Sequence, residues 1–242
     1  MNTTPASTSV TAVTPAQVTQ AGARRILLLQ AHPDLHASRV NRTLLAAARA
    51  LQGQAAVPRI EVRDLYALYP DFDIDVASEQ QAAASADLIV WQHPIHWYSM
   101  PALMKLWLDQ VLALGWAYGQ GGTALAGKDL WLVLSTGAQA HSYRPDGYNR
   151  HAFDVFLAPY QQTAALCGLR LLPPLVLHGA HTVSEQQLRE HAKRYQARLC
   201  GYPDWPELTD LPPGHCVPLP ESDRPVASEP APVQTSTLAG SA

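Results

Sequence analysis

Residues 87–107 read DLIVWQHPIHWYSMPALMKLW, and the way that stretch divides decides the fold. Its opening, DLIVWQ, is a near-continuous apolar run, the pattern of a parallel strand covered by helices on both faces. Its close is helical: Pro101 suits a first turn, and Leu103, Leu106, Trp107 and Val111 fall on one stripe. Trp107, deep in that helix, is expected in the core. Between the two lies HPIHWYSMP, where histidines, prolines and aromatics crowd a simple strand-to-helix turn. Stiff, flat and half-polar side chains at that point suit a planar ligand lying against the turn.

Outward in both directions the chain repeats strand and helix. Residues 25–31 (RILLLQA) form another apolar run, and SRVNRTLLAAARAL follows as a helix capped by Ser38. RIEVRDLY alternates as a strand, VASEQQAAASA reads as a helix, and DLWLVLSTG as the next strand after the quoted stretch. DVFLAPYQQTAALCG is helical, with Pro159 expected to kink or break it. LLPPLVLHGA is the last strand despite its prolines. SEQQLREHAKRYQARLCG closes as an amphipathic helix with Ser184 as cap and Gly201 as stop. Five strands alternating with five helices predict a doubly wound parallel sheet in a single α/β domain, residues 24–202. Residues 1–23 and the Pro- and Ser-rich residues 203–242 show no apolar period and are expected to be a disordered leader and tail.

Composition narrows the function. The 242 residues carry a net charge of −3 with pI ≈ 6.3, and no long basic run invites nucleic acid. Cys167, Cys200 and Cys216 lie far apart without a CxxC, which suits a reducing cytosol and argues against a disulfide framework or a zinc site. No stretch reaches the apolar length of a transmembrane helix, and the first residues lack the apolar core of a secretory signal. The expected location is the cytoplasm.

Ligands of doubly wound sheets bind beyond the carboxyl ends of the strands. Three such ends carry polar or aromatic loops. After the first strand, AHPDLHASRVN sets His32, Ser38 and Asn41 around a helix N-terminus, whose amides and dipole favour an anion. Neither GxGxxG nor GxxxxGK[ST] is present there. After the third, Pro94 directs the loop while Trp97 and Tyr98 offer flat area. After the fourth, STGAQAHSYRPDGYNRH has Thr136 and Gly137 for close backbone approach, and Tyr143 with His141 or His151 as proton carriers. Each loop also has a plainer reading. The first is a Ser cap beside an exposed histidine, the second aromatics filling core or a subunit interface, the third a polar loop facing solvent. Together, an anion site, an aromatic platform and a glycine turn fit a phosphorylated flat cofactor. FMN fits better than a nucleoside triphosphate, since no Mg²⁺-binding carboxylate is evident close after these strands.

LYALYPDFDIDVASEQ at 65–80, the block WYSxPxxxKxWxDxVxxxGWAYG at 97–119, and STGA at 135–138 closely resemble the flavodoxin-like NAD(P)H:quinone reductase family. Within it, the likeness points to the ancillary flavoproteins of glutathione-gated potassium-efflux systems, and it runs over about residues 25–199. The resemblance implies a flavodoxin-like fold, non-covalent FMN, a homodimer with active sites at its interface, and two-electron reduction of quinones by NADH or NADPH. By position it places the FMN phosphate at His32, Ser38, Arg39, Val40 and Asn41. The isoalloxazine falls at Pro94, Ile95, His96 and Trp97, with Tyr98 nearby, and Thr136, Gly137, Ala138 and Gln139 border its other edge. Tyr143 matches the family's proton-handling position, with His151 as companion. A ping-pong hydride relay is then expected, with amides of Thr136 and Gly137 stabilising negative charge. The alternative expectation is regulatory: docking on the cytoplasmic face of a potassium-efflux antiporter, at the inner side of the cell membrane, with redox activity incidental.

Overall fold

The computed structural model describes residues 24–55 and 57–205. In chain order they form β1 (Arg25–Gln30), α1 (Arg39–Arg49), β2 (Arg59–Asp64), α2 (Leu65–Leu68), α3 (Val76–Ser85), β3 (Leu88–Pro94) and α4 (Ala102–Val111). There follow β4 (Asp129–Ser135), α5 (Ala158–Leu166), β5 (Arg170–Leu171), β6 (Leu175–Leu177) and α6 (Glu185–Gly201). The sheet is parallel throughout, in the order β2-β1-β3-β4-β5, with β6 continuing along β4 beyond β5. This is the doubly wound arrangement the alternation predicts.

Strand alternation sorts the side chains into two cores. Leu27, Leu29, Ile89, Trp91, Leu132 and Leu134 belong to one, which α3, α4 and α5 complete. Ile26, Leu28, Leu88, Val90, Trp131 and Val133 belong to the other, shared with α1 and α6. Every residue of β3 and β4 is buried, which is why both read as unbroken apolar runs. Trp107 is fully buried, as expected. Its indole Nε1 donates to Glu79 Oε2 at 2.8 Å, and Glu79 Oε1 accepts from Arg63 at 2.7 Å and from the Tyr69 hydroxyl at 2.5 Å. One buried carboxylate thus ties α3 to β2 and α4.

Four local expectations are corrected. RIEVRDLY is not a strand to its end: β2 stops at Asp64 and the chain turns into the single helical turn α2. LLPPLVLHGA is divided into β5 and β6, because Pro173 and Pro174 supply no amide to the ladder. Pro159 does not interrupt a helix; it stands in the first turn of α5, after a 3₁₀ segment at Phe153–Leu157. Gly201 is the last residue of α6 and lacks the left-handed φ of a glycine stop. The described chain also passes residue 202. Trp205 is buried against Trp131, ring centroids 4.9 Å apart, and donates from Nε1 to the Arg198 carbonyl at 2.7 Å. Aromatic burial therefore holds Pro203–Trp205, which the composition alone assigns to a tail. The expected leader 1–23 and the remainder of the tail lie outside the described residues.

Replacing Glu79 by Ala leaves the Trp107 N–H and the Tyr69 hydroxyl without their acceptor in the core and takes from Arg63 one of its two carboxylates, Glu61 remaining at 3.2 Å. Equilibrium urea unfolding is expected to show a loss of about 3–5 kcal/mol, with Glu79→Gln, which keeps an acceptor, losing less.

Candidate functional site

All strands of a parallel sheet end on one side, so their turns meet there. The turns after β1, β3, β4 and β6 enclose a cavity of about 440 Å³, within the range of small-molecule sites. The α1 N-terminus forms one end. Ser38 is its cap and accepts from the Asn41 amide at 3.2 Å, while the amides of Arg39 and Val40, in the first turn, have no intrahelical acceptor. They are a ready anion site. His32 stands beside them, its Nδ1 accepting the Asp34 amide at 3.1 Å. Burial and the neighbouring His96 lower its pKa, so at neutral pH the ring is uncharged and carries its proton on Nε2.

The cap rests on a buried polar ladder. Asn41 Nδ2 donates to Ser38 Oγ at 3.2 Å and to Ser135 Oγ at 3.0 Å. Its carbonyl accepts from Gln92 Nε2 at 3.3 Å, Gln92 also donates to Gln30 Oε1, and the Tyr195 hydroxyl donates to Gln92 Oε1 at 2.7 Å. Helices α1 and α6 are thereby fixed to the centre of the sheet.

The aromatic turn is strained. His96 and Ser99 exchange amide–carbonyl bonds at 2.9 and 3.0 Å, and between them Trp97 and Tyr98 both adopt left-handed backbone, φ 48° and 64°. That is the geometry of a type I′ turn, ordinarily made by Asn and Gly. Left-handed backbone is unfavourable for bulky residues and concentrates at functional sites. Trp97 is 93% exposed and Tyr98 47%. Tyr98 stacks on Phe156, ring centroids 5.2 Å apart.

The expected residues therefore divide. His32, Ser38, Arg39, Val40, Asn41, Pro94, Ile95, His96, Thr136 and Gly137 line the cavity. Trp97, Tyr98, Ala138 and Gln139 are not among its lining residues, and Gln139 lines a neighbouring crevice instead. Val40 is buried in the core, so its amide is what it offers the cavity. The Arg39 guanidinium is engaged elsewhere, by the Val183 carbonyl at 3.1 Å and Glu185 at 2.6 Å. The Thr136 amide already bonds the Leu177 carbonyl at 2.9 Å; the Gly137 amide has no partner among the described residues. Tyr143 is buried behind Thr136, and burial pushes its phenol pKa up while the Thr136 hydroxyl opposes the shift. His151 is exposed and meets Phe156 edge-on at 6.2 Å; Tyr143 meets the same ring at 5.9 Å, so Phe156 stands in contact with both.

A sequence profile described as a flavodoxin-like fold matches residues 24–199. The chain belongs to that family. It is 48% identical over 178 residues to the glutathione-regulated potassium-efflux system ancillary protein KefF of Citrobacter koseri, across 73% of this chain and 96% of that protein. Among solved structures, general stress protein 14 of Treponema denticola in complex with FMN is 38% identical, with TM-score 0.66 over 73% of this chain and 97% of that one. An NADPH-quinone reductase from P. pentosaceus is 25% identical, with TM-score 0.62 over 72% and 96%.

This flavodoxin-like chain also uses residues that the sequence reading passed over. Ala180 and His181, from the loop after β6, complete the cavity with Ser135 and Asp34. Asp34 is a carboxylate close after β1, contrary to the expectation of none, but its Oδ1 is held by the Ala37 amide at 3.1 Å. His178 donates from Nδ1 to the Thr136 hydroxyl at 2.9 Å, because that hydroxyl itself donates to the Ala138 carbonyl at 2.8 Å. Tyr143 packs on the same ring, centroids 5.2 Å apart. The signal was present: HGAHT at 178–182 follows an apolar strand just as the other three loops do.

Two stability tests follow. Trp97→Gly relieves left-handed strain that roughly offsets glycine's added unfolded-state entropy, so thermal unfolding is expected to stay within about 1 kcal/mol of wild type; β-branched Trp97→Val is expected to lose about 1–2 kcal/mol. His93, fully buried in β3, donates from Nδ1 to the Pro94 carbonyl at 2.9 Å, and burial lowers its pKa to about 4. Unfolded histidine takes up its proton near 6.5, so between these values the unfolded state binds the extra proton. Stability is expected to fall by about 1.4 kcal/mol per pH unit below that point for this one group, and urea unfolding of His93→Gln should show the shallower slope.

Proposed function

We propose that this chain is an FMN-dependent NAD(P)H:quinone oxidoreductase, working by two-electron, ping-pong hydride transfer, and an ancillary regulator of a glutathione-gated potassium-efflux antiporter. The observation that carries the reading is the convergence of four strand-end turns on one cavity with free helix amides at one end. The donor set fits FMN. First-turn amides of α1, the Ser38 hydroxyl and the His32 Nε2–H suit a phosphate dianion, and the partly apolar wall of Pro94, Ile95 and His96 suits a flat ring system. The FMN-bound general stress protein 14, at 38% identity, supports the same assignment.

When bound, FMN supplies hydride acceptance from NADH or NADPH and hydride donation to a quinone. The chain's own residues do the rest. Ser38, His32 and the amides of Arg39 and Val40 anchor the phosphate, with Asn41 holding Ser38 in place. Pro94, Ile95 and His96 form the wall along the ring, continued outward by Trp97 and Tyr98. The free Gly137 amide, with Ala138 and Gln139 behind it, presents a donor to the polar edge. Tyr143 keeps its proton at neutral pH and is the group that hands a proton to the quinone oxygen from Oη; it stands behind Thr136 and outside the cavity lining, so it, like His151, needs movement of its loop to do so. Exposed Trp97, Phe72, Leu114 and Tyr148 give a homodimer apolar surface to bury.

The regulatory reading draws on the 48% identity to KefF. Among the described residues no helix is long and apolar enough to cross a membrane, so attachment to the inner face of the cell membrane would come through the antiporter.

Purified protein is expected to show flavin absorption that NAD(P)H bleaches and a quinone restores, with parallel double-reciprocal plots. Colourless protein that added FMN leaves inactive would remove the enzyme reading. Ser38→Asp tests the phosphate site, since Asp caps a helix as well as Ser but repels a dianion. FMN affinity should drop at least about tenfold (~1.4 kcal/mol) while riboflavin affinity and melting temperature hold.

A further inference from the structure

We propose that the chain has a second binding site, for a small oxyanion of the carboxylate or phosphate class, in the crevice between α6 and the segment 176–183. The crevice, about 460 Å³, is lined by Val176, His178, Thr182, Gln187, His191 and Arg194 among others, and shares no lining residue with the first cavity. Gln187, His191 and Arg194 are spaced by four and three residues, so they form one stripe of α6 beside the stripe Leu188, Ala192, Tyr195 and Leu199 that enters the core.

The groups on this stripe are short of partners. Arg194 is exposed and makes no hydrogen bond or ion pair among the described residues, and its charge faces His191. His191 is only 3% exposed, yet its Nε2 has no partner there either. A buried polar atom of this kind ordinarily has one. Gln187 uses its carbonyl oxygen to close the capping box with Ser184, which leaves its NH₂ group to donate. A guanidinium fork, an amide NH₂ and an imidazole on one helical face match a planar or tetrahedral oxyanion, which takes several donors at once.

The crevice and the first cavity share a wall, the loop 178–183. Gly179 adopts left-handed φ, 72°, and a Cβ there would lie 2.5 Å from the Gln139 side chain. Gln139 bonds Thr182, and His178 bonds Thr136 on the cavity side. Filling one site therefore bears on the other, and linkage requires the effect to be mutual.

The test is calorimetric titration of the FMN-loaded protein with inorganic phosphate and, separately, with succinate at constant ionic strength. Bound FMN keeps the α1 terminus from competing. Saturable binding of either anion is expected, weakened at least about tenfold (~1.4 kcal/mol) by Arg194→Ala and changed less than about twofold by Lys193→Ala, an exposed cation of the same helix. Which anion binds distinguishes a phosphate from a carboxylate ligand. If neither binds, or wild type and Arg194→Ala titrate alike, the site does not exist. Arg194 is exposed, so its variant is expected to fold, and an unchanged melting temperature without anion verifies that. Should the chain not hold FMN, the same titrations on Ser38→Asp protein, whose α1 terminus rejects anions, decide this site independently of the enzyme reading.

Discussion

Gln92 lies in the middle of the sheet, out of reach of water, and its amide must find every partner inside the protein. Those partners come from three other elements. Gln30 is on β1, Asn41 on α1 and Tyr195 on α6, and Asn41 in turn holds Ser38 and the β4 residue Ser135. Losing any one leaves a buried polar group unpaired, at a cost of about 1–3 kcal/mol, so the elements dock in one relative position. An apolar core tolerates small shifts of a helix. This ladder does not, and it sits directly under the helix terminus that faces the cavity.

Above the ladder, the parallel sheet gathers four turns on one edge, and each contributes something different. The α1 terminus offers amides with no acceptor. The β3 turn offers a wall and two aromatic residues held left-handed. The β4 turn offers a free glycine amide, and the β6 loop closes the remaining side. None of these loops could make the cavity alone. His178 bonds Thr136 and packs on Tyr143 because β4 and β6 are neighbours, although forty-two residues separate Thr136 from His178.

Much of this was legible in the sequence, and for identifiable reasons. Unbroken apolar runs marked β1, β3 and β4 because all three are covered on both faces. Serine caps marked the starts of α1 and α6. Errors fell where local rules compete: Pro173 and Pro174 divided a strand, Pro159 began a helix that it was expected to break, and Trp205 anchored a segment whose composition resembles a tail. At the site, ten of the expected cofactor-lining residues share one cavity. Trp97, Tyr98, Ala138 and Gln139 do not line it, and Arg39 lines it while its guanidinium turns to Glu185, because side-chain direction and long-range pairing are set by the fold.

The amino-acid sequence by itself determined the order of the elements, the two-sided burial of the sheet and the identity of the turns that end it, because apolar period, caps and turn residues act over a few neighbours at a time. Only the tertiary structure decided which donors remain free, which histidine meets Tyr143, and that the β6 loop joins the other three. Those outcomes depend on contacts between residues far apart in the chain, where a hydrogen bond made by one partner removes it from every other.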